Sequence, residues 1–155
     1  MLAAGVGAIV NVGSLAGRVA PPYGGVYAAS KHAVEALSEG LHFELSQQGI
    51  RVHVIEPGQF ATALGANAAY TVAMVDGSPE HQRFGRYREA QRRLVNGEPA
   101  DPQLVADAIY RAATEESPKL RHPVGADAEM VIAVKDQLSF EDFDAAMRST
   151  LDWHE

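Results

Sequence analysis

The sequence predicts an α/β protein with a parallel sheet, and two observations carry that prediction. Residues 7–12 (GAIVNV) and 51–55 (RVHVI) are short runs rich in β-branched residues, as in buried strands. Between them, residues 26–47 contain one glycine, no proline and many good helix formers. Strand, helix and strand in that order make a βαβ unit, which places both strands in one parallel sheet.

The ends of these elements are marked by turn residues. The first strand stops at Gly13-Ser14, and the glycines and prolines of residues 15–25 predict a loop. The second strand stops abruptly at Glu56-Pro57-Gly58. Apolar residues recur at helical spacing along the helix, which predicts an amphipathic element. They are Ala29, Ala33, Val34, Ala36, Leu37, Leu41 and Leu45.

Residues 63–98 depart from the alternation of strand and helix, apart from a polar helical stretch at 80–95. A connection of more than about 30 residues is unusual in a compact domain, and it indicates a functional insertion such as a substrate lid. A further helix, a short strand and two closing helices are predicted at 101–116, 121–125, 126–137 and 139–151. We therefore expect residues 1–155 to form a single domain with a lid at about 63–98.

Composition limits the partners of the chain. Its 155 residues carry a formal net charge of −7, which disfavours nucleic acid because no excess of Lys and Arg can neutralise phosphates. No cysteine is present, which excludes disulfides and cysteine metal sites and is compatible with the reducing cytoplasm. No apolar run reaches membrane length, so a soluble, cytoplasmic protein is expected. His32 and His42 lack companions at metal-ligand spacing, and His53 lies inside a strand, so no metal site is predicted.

Three polar residues are spaced so that they can converge. Tyr27 and Lys31 lie four residues apart near the start of the long helix, so their side chains share a face. Ser14 precedes Tyr27 by thirteen residues, and only a loop separates them. All three then lie at the carboxyl end of the sheet, where open α/β folds bind ligands. Taken singly, Ser14 could be a turn residue, Tyr27 an interface aromatic and Lys31 a solvated charge; the joint spacing favours a catalytic set.

Three motifs together resemble the short-chain dehydrogenase/reductase family. They are the run GAIVNVGSLAG, the Tyr27-x-x-x-Lys31 helix and the strand ending in Pro57-Gly58-Gln59-Phe60-Ala61-Thr62, in the family's order and separations over residues 7–62. The resemblance implies a Rossmann-type, doubly wound parallel sheet, of which this chain holds the last strands and helices. It also implies an NAD- or NADP-dependent oxidoreductase that interconverts a small alcohol and its carbonyl by hydride transfer, and a homo-oligomer.

The resemblance assigns a role to each matching position. Tyr27 would be the general acid and base, Lys31 would lower the phenol pKa and hold the nicotinamide ribose, and Ser14 would hydrogen-bond the substrate oxygen. Pro57, Gly58, Phe60 and Thr62 would meet the nicotinamide end of the cofactor. The electrostatics are reasonable, because lowering a phenol pKa from about 10 by two or three units takes roughly 3–4 kcal/mol. An ammonium at about 4 Å supplies energy of that order at an intermediate dielectric constant.

Other family motifs have no match. The Gly-rich phosphate loop, the N-A-G motif, the catalytic Asn and the residue that separates NAD from NADP are absent. We therefore expect the chain to correspond to about the last 60% of a member, with the strand at 7–12 presenting a bare edge that pairs with another chain. The alternative function is a truncated, non-catalytic interaction module that cannot bind the dinucleotide by itself. The serine, tyrosine and lysine favour the enzyme, and the absent loop favours the module.

Overall fold

A computed structural model describes residues 1–64, 76–94 and 99–152, and these residues contain three strands and five α-helices. In chain order they are β1 (Gly7–Val12), α1 (Gly25–Leu45), β2 (Ile50–Pro57), α2 (Pro79–Leu94), α3 (Gln103–Thr114), β3 (Arg121–Val124), α4 (Ala126–Lys135) and α5 (Phe140–Leu151). The predicted α/β class is confirmed. Each predicted element is found with bounds that differ by at most a few residues, because helix ends fray and depend on local caps.

The sheet is parallel and has the strand order β1-β2-β3. Gly7 lies opposite Ile50 at the start of the β1–β2 pair, and Val12 lies opposite Ile55 at its end. Within the described ranges no strand pairs with the other edge of β1. In the described residues one edge of β1 is thus unpaired, and its pairing with another chain stays a prediction.

The core is centred on β2. Val54 and Ile55 are fully buried, and neighbouring strand residues point to opposite faces of the sheet. Ile55 packs against Ala108 and Ala112 of α3. Helix α1 covers the opposite face, so the sheet lies between two helical layers, which is an arrangement that parallel sheets require.

Helix α1 exposes four of its seven predicted apolar positions, whereas Val34, Leu41 and Leu45 are half-buried. Ala29, Ala33, Ala36 and Leu37 are exposed, and Leu37 keeps 60% of its surface accessible. Val26 at the start of the same helix and Phe43 near its end are 91% and 71% exposed. The predicted helix is confirmed, but its most buried residues, Ala28, Glu35 and Ser38, lie outside the predicted apolar set. We call the exposed outer surface of α1 the α1 stripe; it is formed by Val26, Ala29, Ala33, Ala36, Leu37 and Phe43.

Two polar residues lie with Ala28 on the inner side of α1. Ser38 is fully buried: its Oγ accepts a hydrogen bond from Asn11 Nδ2 at 2.8 Å and donates to the Val34 carbonyl at 2.7 Å. Glu35, also buried, is paired with Arg121 of β3. Hydrogen bonds and ion pairs to distant residues offset the cost of burying these groups, so hydropathy alone does not identify the packed face.

His53 has a structural role, as its position inside a strand predicts. Its ring is fully buried on β2, and Nδ1 donates to the Lys119 carbonyl at 2.9 Å. The same nitrogen lies 3.1 Å from Nε2 of His122 on β3. The imidazole therefore links β2 to the segment that leads into β3.

Among the helices of the described ranges, none combines the length and apolar composition that a bilayer crossing requires.

Candidate active site

Ser14 stands at the carboxyl end of β1, where the chain leaves the sheet. Gly13 continues the ladder by donating its N–H to the Ile55 carbonyl at 2.8 Å. Ser14 then caps the short 3-10 turn Leu15–Gly17, and its Oγ accepts a hydrogen bond from the Ala16 N–H at 3.1 Å. The turn role that the sequence left open for Ser14 is thus present. It uses a lone pair of Oγ, and the hydroxyl hydrogen stays free to be donated to a ligand.

Tyr27 and Lys31 lie in the first turns of α1, on one face as predicted. The Lys31 Nζ atom is 5.7 Å from the centroid of the Tyr27 ring, within the range of a cation–π contact. The same ammonium donates a hydrogen bond to the Val12 carbonyl at 3.0 Å. Tyr27 keeps 38% of its surface accessible. Lys31 therefore contacts both the Tyr27 ring and the end of β1, the strand that leads to Ser14.

Two glycines let the Ser14 turn pack directly on α1. A Cβ atom at Gly17 would lie 3.0 Å from Glu35 Cγ and 3.1 Å from the Lys31 carbonyl oxygen. A Cβ atom at Gly13 would lie 2.9 Å from Glu35 Oε1. These distances are shorter than ordinary side-chain contacts, so the close approach of the turn to Lys31 and Glu35 requires glycine.

The segment after β2 leaves the sheet beside the Ser14 turn, at the same carboxyl end. Pro57, the last residue of β2, lies opposite Val124, and Gly58 donates its N–H to the Val124 carbonyl at 3.0 Å. Phe60 forms an isolated parallel bridge with Ala100. Thr62 is exposed and donates its N–H to the Phe60 carbonyl at 2.8 Å. The four residues that the family resemblance assigns to the nicotinamide are thus held at this edge by backbone hydrogen bonds.

Asp127 fixes this segment from α4, and the sequence reading missed it. Its carboxylate is buried, and Oδ2 accepts a hydrogen bond from the Gln59 N–H at 2.8 Å. A Cβ atom at Gly58 would clash with the same carboxylate. The available signal was an acidic residue in the first turn of a predicted helix. Its contact with Gln59, 68 residues away in the chain, has no local signature.

Helix α2, within the predicted lid, packs on the loop before Tyr27. The Tyr23 ring meets Phe84 edge-on at 5.3 Å and Tyr87 at 5.9 Å between centroids. Tyr23 has a φ of 62°, a left-handed conformation that is uncommon for a bulky residue. Burial raises the pKa of the Tyr87 phenol. Of the predicted lid, residues 65–75 and 95–98 lie outside the described residues.

A buried carboxylate lies one residue before Pro57. Glu56 is fully buried on β2, and its Oε1 accepts a hydrogen bond from Arg18 Nη1 at 3.2 Å. Burial raises the pKa of the Glu56 carboxyl, the negative charge of Glu35 raises it further, and Arg18 opposes both effects. Glu56 thus favours its protonated form more in the folded state than in the unfolded chain.

This carboxyl predicts a pH dependence of stability. Because the pKa of Glu56 is raised on folding, its contribution to the free energy of unfolding is fully present below its ordinary pKa of 4.5. That contribution is lost as the pH rises through the folded pKa. Glu56→Gln should therefore flatten the decline in stability above pH 4.5, measured by urea unfolding at a series of pH values.

Glu39→Gln is the matched control for that measurement. The pKa of Glu39 is lowered, chiefly by its hydrogen bond from Arg121, so its contribution to stability is lost as the pH falls below 4.5. The two variants should therefore change the stability curve on opposite sides of that pH. An unchanged slope above it in Glu56→Gln would contradict the assignment.

Comparison with known proteins agrees with this geometry. The family model described as short chain dehydrogenase matches residues 1–72. The uncharacterized oxidoreductase YusZ of Bacillus subtilis is 33% identical over 147 residues, which cover 92% of this chain and 52% of that protein. The chain thus spans about half the length of the curated relatives it matches.

Solved structures give the same result. A short-chain dehydrogenase from Streptomyces avermitilis superimposes with a TM-score of 0.69 at 30% identity, covering 96% of this chain and 51% of that one. A short-chain dehydrogenase from Burkholderia cenocepacia, crystallised with NADP, shares the fold with a TM-score of 0.61 at 23% identity, covering 94% and 49%. The three matching motifs, the parallel Rossmann-type sheet and these relatives lead to one conclusion: the chain belongs to the short-chain dehydrogenase/reductase family of oxidoreductases.

Proposed function

We propose that the chain provides the acid–base and nicotinamide-facing part of an NAD- or NADP-dependent enzyme that interconverts an alcohol and its carbonyl. One observation carries the proposal: the Lys31 ammonium lies beside the Tyr27 ring and is hydrogen-bonded to the end of β1, next to Gly13 and Ser14. This contact supports the presence of an acid, a cation and a hydroxyl donor at the end of a parallel sheet where open α/β folds bind ligands.

In the reducing direction, Tyr27 Oη donates its proton to the substrate oxygen as the carbonyl carbon gains a hydride. Ser14 Oγ donates a hydrogen bond to that oxygen and stabilises its developing negative charge. Lys31 stabilises the resulting phenolate because its positive charge lies close to the ring. In the oxidising direction the phenolate accepts the proton of the alcohol. The nicotinamide, when bound, supplies or accepts the hydride.

The donor set fits the nicotinamide end of a dinucleotide. Backbone groups of residues 57–62 and the exposed Thr62 hydroxyl lie on one side of the proposed nicotinamide site. The Lys31 ammonium, which donates one hydrogen bond to the Val12 carbonyl, can donate others to ribose hydroxyls. The pyrophosphate end has no matching Gly-rich loop in these 155 residues. The proposal therefore assigns only the nicotinamide end to this chain.

Titration with NADH and NADPH, followed by nicotinamide fluorescence, tests the cofactor assignment. Because only part of the dinucleotide is contacted, we expect weak binding, with a Kd of about 1 mM, or about −4 kcal/mol. Lys31→Met should weaken it about tenfold, since it removes a charge-assisted hydrogen bond worth about 1.5 kcal/mol or more. Lys119→Met, which removes an exposed lysine at the opposite end of β3, should leave binding unchanged. If neither NADH nor NADPH binds at millimolar concentration, autonomous catalysis by this chain is excluded.

We also propose that the chain associates with a second copy through the bare edge of β1 and the α1 stripe. The stripe exposes Val26, Leu37 and Phe43 on one helix, and large exposed apolar side chains grouped on one element favour an interaction surface. Sedimentation should reveal a concentration-dependent dimer that Leu37→Arg weakens, whereas Tyr110→Arg, on exposed Tyr110 of α3, should have no effect. A monodisperse, cooperatively melting monomer would count against this surface.

The alternative, a non-catalytic interaction module, is less well supported. An interaction module has no need of a lysine held between Tyr27 and the end of β1, yet the chain keeps that arrangement. The partner surface proposed for such a module, the edge of β1, is equally compatible with an oxidoreductase, so it does not favour the module. The NADH and NADPH titration separates the two functions, because a module of this kind would bind neither cofactor.

A further inference from the structure

We infer that Arg18, Glu35 and Glu56 are positioning residues, which hold the Ser14 turn against α1 through a buried ion-pair network. The inference rests on the proposed function, because it concerns where Ser14 lies relative to Tyr27 and Lys31. None of the three matches a family motif identified in the sequence, and all three lie beneath the turn.

The first half of the network joins the loop to β2. Arg18 directly follows the Leu15–Gly17 turn, and its guanidinium extends in two directions. Nη1 donates to Glu56 Oε1 at 3.2 Å, and Nη2 donates to Asp136 Oδ1 at 2.7 Å, at the end of α4. The Arg18 side chain is only 23% exposed, so this fork is held between two elements rather than free in solvent.

The second half joins β2 and β3 to α1. Arg121 Nε donates to Glu35 Oε2 at 3.1 Å and lies 3.9 Å from Glu56 Oε1, and a second guanidinium nitrogen donates to Glu39. Glu35 and Glu56 therefore share the positive charge of Arg121. Two cations and two buried anions alternate along a path from the loop to the helix, which balances the inner charges.

The turn makes contact with the network at Glu35. Gly13 and Gly17 flank Ser14 and both pack against the Glu35 side chain, as the short Cβ distances show. Glu35 lies one helical turn beyond Lys31, whose ammonium holds the end of β1. The carboxylate thus supports the turn from below while Lys31 holds it at the strand.

Stability alone does not account for a buried network of this kind. Replacing buried ion pairs by apolar residues of similar size is often neutral or stabilising. Here Oε1 of Glu35 and Oε2 of Glu56 are buried and accept no hydrogen bond from the described residues. Positioning of the turn is a benefit that accounts for these unfavourable groups.

Amide hydrogen exchange on the 155-residue chain tests the inference without depending on activity. The Gly17 and Val19 amides donate to the Ser14 and Leu15 carbonyls, so their exchange reports on the turn. In Arg18→Met we expect both to exchange at least about tenfold faster. Val54, whose amide donates to the Leu120 carbonyl, reports on the sheet and should change less. Arg18→Lys should recover part of the protection, because a cation is restored to Glu56.

The double variant Arg18→Met with Glu56→Gln separates positioning from stability. Removing both charges relieves the unpaired buried carboxylate, so the melting temperature should recover relative to Arg18→Met. Exchange at Gly17 and Val19 should stay fast, because the tether is still missing. Full recovery of turn protection in the double variant, or equal acceleration at Val54 in Arg18→Met, would overturn the inference. If the unaltered chain binds neither cofactor while the variants change turn protection as expected, the proposed function alone is contradicted.

Discussion

Tyr27→Phe should lower turnover of an alcohol or ketone by about a thousandfold while leaving nicotinamide affinity nearly unchanged. The substitution removes only Oη, the atom that we propose exchanges a proton with the substrate oxygen, and general acid–base groups contribute about 100- to 10,000-fold to the rate. The ring stays, so its contact with the Lys31 ammonium is kept. Steady-state kinetics in both directions, combined with the fluorescence titration, measure the two quantities separately.

Tyr110→Phe is the matched control for this experiment. Tyr110 is 70% exposed on α3, so loss of its hydroxyl should affect neither turnover nor binding. A Tyr27→Phe enzyme that keeps a substantial part of its activity would remove Tyr27 as the acid and base. Equal loss of cofactor affinity in that variant would mean that the phenol acts in binding rather than in proton transfer.

The strands could be predicted because their signal is local. Residues 7–12 and 51–55 are β-branched and flanked by turn residues, and the structure places them in β1 and β2 with a parallel register.

The packed face of α1 could not be predicted in the same way. Glu35 and Ser38 are buried because Arg121 and Asn11, 86 and 27 residues away, provide their partners. Hydropathy along one helix contains no information about such distant pairs.

The candidate site divides along the same line. The four-residue spacing of Tyr27 and Lys31 predicts their shared face, and the structure places them on it. The bond from Lys31 to the Val12 carbonyl and the support of Gln59 by Asp127 depend on how the chain returns to the same edge of the sheet. The spacing motif of Tyr27 and Lys31 can be predicted from the sequence. The role of Asp127, which holds the segment after β2 in place, can be identified only from the folded structure.

Gly58→Ala should reduce kcat/KM by about a hundredfold, because it displaces the segment that we propose faces the nicotinamide. The added Cβ would clash with the Asp127 carboxylate, which is buried and held by the Gln59 N–H. Either the carboxylate rotates and leaves that amide without its acceptor, or residues 58–62 move. A misplacement of about 1 Å at a reacting group costs about a hundredfold in rate.

Gly40→Ala provides the control, since a Cβ at Gly40 of α1 meets nothing within 4 Å. It should leave nicotinamide binding unchanged and raise the free energy of unfolding by about 0.5–1 kcal/mol, because alanine restricts the unfolded chain. Gly58→Ala should instead weaken nicotinamide binding and lower stability by about 1–3 kcal/mol through overpacking. If Gly58→Ala loses stability yet binds NADH and NADPH as the parent does, the segment after β2 is only structural. The cofactor site then has to be sought among other residues at this end of the sheet.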